Sequence, residues 1–318
     1  MIATDVKRLF LAAFLPILFC SAHAEAPAVK GNGPAYYRMM LGGYEVTALS
    51  DGTVQIPVNK ILKNIQDAAV DRALAEQGLK SPLETSVNAF LINTRQKLVL
   101  IDAGAANLFG PTLGNLLANL NASGYAPEQV DEIYITHMHP DHVGGLVANG
   151  RRVFPNAVVR ANKAEADYWL STENLGKAPE ADKAYFRGAQ QSLEPYVTAG
   201  RFRPYQGNQF LSNGIRVIVT AGHTPGHSVF VVENQGQKMV VLGDLMHVAA
   251  VQFANPSVAT EFDTDSPGAT TQRAKFYDDA ANVKHVLAIA HVSFPGLGRL
   301  RKDGAGYVWI PVNYSVVR

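Results

Sequence analysis

An α/β layered domain is the fold class that this sequence predicts, and three observations carry the expectation. Paired strand-like runs alternate with single helix-like runs along the chain. Two stretches, "NAFLINTRQKLVLID" and "SVFVVENQGQKMVVLGD", repeat one order of apolar strand, turn containing Gln-Lys, apolar strand and aspartate. The 318 residues, 47% of them hydrophobic and 17% charged, suffice for a sizeable core and argue against extensive disorder.

The elements follow in order. "YYRMMLGGYEVTALSDG" predicts two strands turning at Gly42-Gly43. "KNIQDAAVDRALAEQGLKSPLE" is a polar helical excursion ending near Pro82. "NAFLINTRQKLVLIDAG" reads as a hairpin that ends at Asp102. Leu113, Leu116, Leu117 and Leu120 stand at helical spacing, and "DEIYIT" returns to a buried strand. A helical insertion is expected around residues 162–198, before the second hairpin. No Pro-, Gly- or Ser-rich linker marks a boundary, so one domain is expected over residues 25–318.

Residues 1–24 are set apart as a secretory signal. Lys7 and Arg8 precede an apolar run from Leu9 to Cys20, and Ala22-His23-Ala24 supplies the cleavage pattern. The run is short for a bilayer span, so no membrane anchor is expected, and the location is periplasmic or secreted. Cleavage removes Lys7, Arg8 and Asp5 from 28 basic and 27 acidic side chains and leaves 26 of each. A neutral surface argues against a nucleic acid partner. The single cysteine, Cys20, leaves too, so the mature chain has no thiol ligand, thiol nucleophile or disulfide.

Chemistry concentrates in "IYITHMHPDHVGGL", where His137, His139, Asp141 and His142 fall within six positions after a strand-like run. If the strand ends at Thr136, His137 and His139 face one way, while Asp141 and His142 lie on the loop or first helical turn beyond. Imidazoles and a carboxylate converging at a strand end suit a Zn-like metal. The bland alternative is a polar loop with coincidental histidines. No nucleophile elbow of the G-x-S-x-G kind occurs.

The pattern His-x-His-x-Asp-His after a buried strand resembles the signature of the metallo-β-lactamase fold. Further matches come in order: His223 in "TAGHTPGH", Asp244 in "VLGD" and His291 in "AIAHVSFPG". The resemblance implies a single αββα four-layer sandwich built from two similar halves. It also implies two divalent metal ions, zinc first and Mn, Fe or Co otherwise. His137, His139 and His223 would hold one, Asp141, His142 and His291 the other. Asp244 would bridge them, with Asp141 and Asp244 counted as catalytic and a bridging hydroxide as nucleophile. His227, the runner-up for His223, is assigned a supporting role.

Asp244 stands where the best-known β-lactamases carry cysteine, which disfavours antibiotic hydrolysis of that type. Through "YYRMMLGGYEVTALSDGTV", "GQKMVVLGDLMHVAAVQFANPSV" and "SFPGLGRLR" the chain is similar to the exported methyl parathion hydrolase family. That resemblance implies a homodimeric hydrolase of neutral phosphotriesters, aryl esters and lactones, whose aromatic pocket corresponds to Phe109, Trp169 and Phe186. Each of these three could equally be core. His247, three residues after Asp244, is expected to line the site and to favour carbonyl substrates. A lactonase with promiscuous phosphotriesterase activity is the alternative within the class, and a di-iron oxidoreductase the alternative outside it. Asp102 is read as support for a ligand histidine or as a loop cap. Asp263 and Asp265 are read as solvated loop carboxylates, His285 as structural, and Gly144-Gly145 as permitting close helix packing.

Overall fold

Two hairpins of like construction organise the molecule. The computed structural model describes residues 33–315 together with residues 26, 28, 29 and 31, and the expected signal at residues 1–24 lies outside them. In the first hairpin Leu83–Asn93 pairs antiparallel with Leu98–Ile101. In the second Ser228–Asn234 pairs with Gln237–Val241. In both, the later strand then accepts a parallel neighbour: Glu132–Tyr134 joins Leu98–Ile101, and Val286–Ala288 joins Gln237–Val241. Parallel neighbours need a crossover, and each connection contains a helix, Leu116–Ala122 in the first half and Ser266–Val283 in the second.

Around these hairpins stand a six-stranded and a seven-stranded sheet. The first runs from Tyr36–Leu41 through the long strand Tyr44–Ile56 to Val158–Arg160. The second runs from Gln209–Ser212 to Gly306–Pro311. Alternate residues of each strand face opposite ways. One face of each sheet therefore builds a shared core in which Phe90, Ile92 and Val99 meet Phe230, Met239 and Val241. The other face of the first sheet, with Leu91, Leu100 and Ile133, is covered by helical residues Leu120, Phe186 and Leu193. The other face of the second, with Val231, Val240 and Leu287, is covered by Phe276, Tyr277 and Ala280. The result is the four-layer sandwich, helices outside and sheets within.

The expected insertion is present as helices Lys163–Trp169, Thr172–Lys177 and Lys183–Thr198. Other boundaries move for local reasons. The polar excursion is helical only over Asp67–Ala75, between left-handed backbone at Asn64 and Gly78. The first hairpin begins at Leu83 rather than Asn88, because Tyr44–Ile56 is long enough to pair along its whole length. Leu113 is not helical. Gly114, at φ +93°, separates it from the helix, and it packs instead with Val87 and Ala105. Among the described residues no helix is long and apolar enough to cross a membrane.

Candidate metal centre

All the expected ligands lie just beyond the C-terminal ends of strands of the two central sheets. Glu132–Tyr134 ends two residues before the expected Thr136, and the chain then runs through His137 and His139 into the single turn Pro140–Val143, which carries Asp141 and His142. His223 follows Ile215–Val219, Asp244 follows Gln237–Val241 and His291 follows Val286–Ala288. Gly144 and Gly145 let this turn sit against backbone, since a Cβ there would stand 2.1 Å from the Ala105 oxygen and 2.0 Å from that of Ala103. The close approach is thus to the loop after Asp102 rather than to a helix.

His137 Nε2, His139 Nδ1 and His223 Nε2 stand 3.0, 3.3 and 3.2 Å from one another. Asp244 Oδ2 completes the set at 3.6 Å from His137 Nε2 and 3.5 Å from His223 Nε2. Four ligand atoms about 2.05 Å from a tetrahedral cation lie about 3.3 Å apart, so these spacings suit one zinc-sized ion. A second set faces the other Asp244 oxygen. His142 Nε2 lies 3.1 Å from Oδ1, His291 Nε2 lies 3.2 Å from both Asp244 oxygens, and both imidazoles stand near Asp141 Oδ2 at 3.6 and 3.5 Å. His142 Nε2 and Asp244 Oδ1 are buried and close, yet neither has an aligned hydrogen bond. Donor atoms that converge without bonding one another fit a cation between them.

Electrostatics agree with this division. Burial first, then neighbouring imidazoles, hold His137 and His139 well below the ordinary histidine range, which leaves their lone pairs free. For Asp244 burial pushes upward, but His142, His291 and His137 outweigh it and keep the carboxylate ionised. His142 and His291 are raised instead, because the carboxylates around them overcome the opposing effect of burial.

A further ring of contacts aims the ligands. His142 Nδ1 donates to Asp102 Oδ2 at 2.9 Å, and Asp102 also accepts from the Thr136 amide and hydroxyl. His291 Nδ1 donates to the Ser86 carbonyl at 2.9 Å. His223 Nδ1 donates to Asp263 Oδ1 at 2.9 Å. Asp263 is therefore corrected from a solvated loop carboxylate to a buried partner of His223, while Asp265 caps helix Ser266–Val283 through the Gly268 amide. His227 accepts from the Asp244 amide at 3.0 Å, a supporting position. Glu165, unremarked in the sequence, is fully buried and accepts from Met138 N at 3.1 Å and Gly226 N at 2.7 Å. It joins the loop of His137 and His139 to that of His223, and only its neighbours in space reveal this.

His247 adds an eighth donor, with Nε2 3.1 Å from Asp244 Oδ2 and its ring stacked on His291. Beside His139 opens a cavity of about 460 Å3 lined by Tyr168, Trp169, Tyr185, Phe186 and Phe262. Trp169 and Phe186 belong both to this wall and to the core cluster beneath it, so pocket and core, the two expectations for these rings, coincide. Phe109 lines a neighbouring depression that shares Tyr185 as a wall. A larger cavity of about 600 Å3, between the loop at Ala106–Gly114 and Asn149, carries no titratable side chain, so the chemistry belongs to the smaller one. His285 lies near Asp279, with both ring nitrogens buried and unpartnered.

Comparison with known proteins agrees with this geometry. Residues 83–286 match the metallo-beta-lactamase superfamily. The solved structure described as hydrolase AbOPH in the beta lactamase superfamily is 38% identical, with a TM-score of 0.86 over 90% of this chain and 100% of that one. AidC, a dizinc quorum-quenching lactonase solved with its product N-hexanoyl-L-homoserine, is 27% identical, with a TM-score of 0.82 over 89% of this chain and 99% of that one. Exodeoxyribonuclease WalJ of Streptococcus pneumoniae is 34% identical over 105 residues, 32% of this chain, and the match spans only 35% of that enzyme's length. With its fold, its ligand order and these relatives in agreement, the chain belongs to the metallo-beta-lactamase superfamily.

Proposed function

We propose that this chain is an exported, binuclear metal-dependent hydrolase of lactones and aryl esters. Neutral phosphotriesters form its second substrate class, as in the methyl parathion hydrolase family. One observation carries the reading: donor atoms divide into two sets that share the two oxygens of Asp244, beside an aromatic cavity. The likeness to a dizinc lactonase supports the lactone class and zinc.

His137, His139 and His223 would hold one cation, Asp141, His142 and His291 the other, with Asp244 between them. Two divalent cations supply a water that ionises near neutral pH and a Lewis acid for a carbonyl or phosphoryl oxygen. The chain's residues supply the rest. Asp102 and Asp263 fix the tautomer and direction of two ligand imidazoles. Trp169, Phe186 and Phe262 offer an apolar wall to a neutral leaving group, and Phe109 flanks it across Tyr185. His247 is the substrate contact nearest the shared carboxylate in this reading.

The test compares kcat/KM of the metal-reconstituted mature protein for a dihydrocoumarin-type lactone, an aryl acetate and methyl parathion. A lead for the lactone or the acetate supports carbonyl chemistry as the principal activity. A lead for methyl parathion makes the phosphotriester principal instead. No hydrolysis of any of them, with visible absorption and oxygen consumption by the iron-loaded protein, would point to an oxidoreductase. Sedimentation of the loaded protein tests the homodimer.

A further inference from the structure

The aromatic cavity beside His139 carries charge of one sign. Asp182 and Glu261 line it, both exposed, and neither side chain makes a hydrogen bond or ion pair among the described residues. Asp182 precedes helix Lys183–Thr198 yet makes no capping bond. The third carboxylate of the wall, Asp263, is occupied by His223, and among the described residues no Lys or Arg lines this cavity. Of the nearest cations in sequence, Lys183 pairs with Glu180 at 2.8 Å, and Arg187 lines the neighbouring depression rather than this cavity. Tyr185, which stands between the two, has its phenol pushed up to about 12 by burial first and then by Asp141, Glu261 and Asp182.

Aromatic faces are negative, and a cation over them is attracted, the more so when carboxylates stand at the same wall. Metal ions would make the floor of the site cationic, so the part of a ligand that reacts there experiences the opposite field. Any charge selection by the wall therefore acts on the end of the ligand that does not react.

We propose that Asp182 and Glu261, with the rings of Tyr168, Trp169 and Tyr185, select substrates whose non-reacting end bears an ammonium-type positive charge and reject those bearing a negative one there. The proposal deepens the hydrolase reading and rests on it only for the reacting end.

Three phenyl acetates that differ at the para position test this. One carries trimethylammonium, one its neutral isostere tert-butyl, and one carboxylate. The expected order of kcat/KM is cation, neutral, anion, with the extremes on the order of tenfold apart at low salt and converging as salt rises. In the double variant D182N/E261Q the ratio of extremes should fall toward one. A ratio at or below one in the parent protein, or one unchanged in the double variant, overturns the proposal.

Binding to the metal-free protein gives a second readout, through Trp169 fluorescence in a Trp309→Phe background with phenyltrimethylammonium and benzoate as probes. Preference for phenyltrimethylammonium that D182N/E261Q abolishes supports charge selection even if no ester is hydrolysed, in which case the hydrolase reading alone fails. Equal binding of both probes overturns charge selection even if the esters are hydrolysed.

Discussion

Asp263 shows how the orientation of His223 depends on a residue remote in sequence. Its carboxylate accepts from His223 Nδ1, 40 residues away, and also from the Thr260 amide. Replacing it by Asn should leave the fold intact, yet release the ring of His223 and weaken metal binding by about 10- to 100-fold. Competition with a chelating dye reads this directly, and unchanged affinity would remove Asp263 from the site. Asp102, by contrast, is legible in the sequence itself, because it ends a hairpin that the chain repeats at Asp244. Asp263 and Glu165 lie in stretches without such a pattern, and their roles arise only where separate loops meet.

His285 gives a pH dependence distant from the metals. Burial first, then Lys238, lowers it to about 4 against the pull of Asp279, whereas an unfolded histidine ionises near 6.5. Above about pH 6.5 both states are neutral and the residue adds no slope. Between about 6.5 and 4 the unfolded chain binds the extra proton, so stability falls as pH falls, and below that the loss levels off. Denaturant midpoints of metal-free protein across this window should show a shallower decline for His285→Asn. Identical profiles would contradict the assignment.

At the scale of elements, strand ends do the positioning. Each ligand follows a strand whose pairing is continuous with the central sheets, so ligand positions inherit the rigidity of those sheets. Period-two patterning makes the hairpins readable, and their register follows. The meeting of the turn Pro140–Val143 with the loop after Asp102 is not readable, because it depends on missing Cβ atoms. Gly145→Ala would set a methyl carbon 2.0 Å from the Ala103 oxygen, a contact with backbone that no rotamer relieves. A loss of about 1–3 kcal/mol in unfolding free energy is expected. Lower metal affinity should accompany it, since Asp141 and His142 ride on the same turn. A Gly145→Ala protein as stable as its parent would mean that the loop yields freely.

For the molecule as a whole, two similar halves pack sheet face against sheet face through a shared core, and Asp244 from the second half closes the ligand sets begun in the first. Glu165 ties the same junction from below through Met138 and Gly226. Fold class and the cluster of His137, His139, Asp141 and His142 are legible in the sequence because they follow from strand patterning and histidine density, whereas His223, Asp244, His291 and the division into two sets come only with the resemblance to the metallo-β-lactamase signature. The charge of the cavity wall is not, because Asp182 and Glu261 are unremarkable loop carboxylates until the fold brings them to one cavity. Ions bound across the junction stabilise only the folded chain, so removing them should lower the melting temperature in proportion to their affinity.

The most direct test of the two-metal account is a zinc titration of chelator-stripped protein, with bound metal counted per chain while lactone hydrolysis is followed. Two zinc ions per chain are expected, with hydrolysis absent from the stripped protein and restored as both sets fill. Asp244→Ala should bind fewer and lose at least about 100-fold in rate. One ion or none at saturation, hydrolysis that survives stripping, or an Asp244→Ala protein with two ions and full turnover would contradict the account.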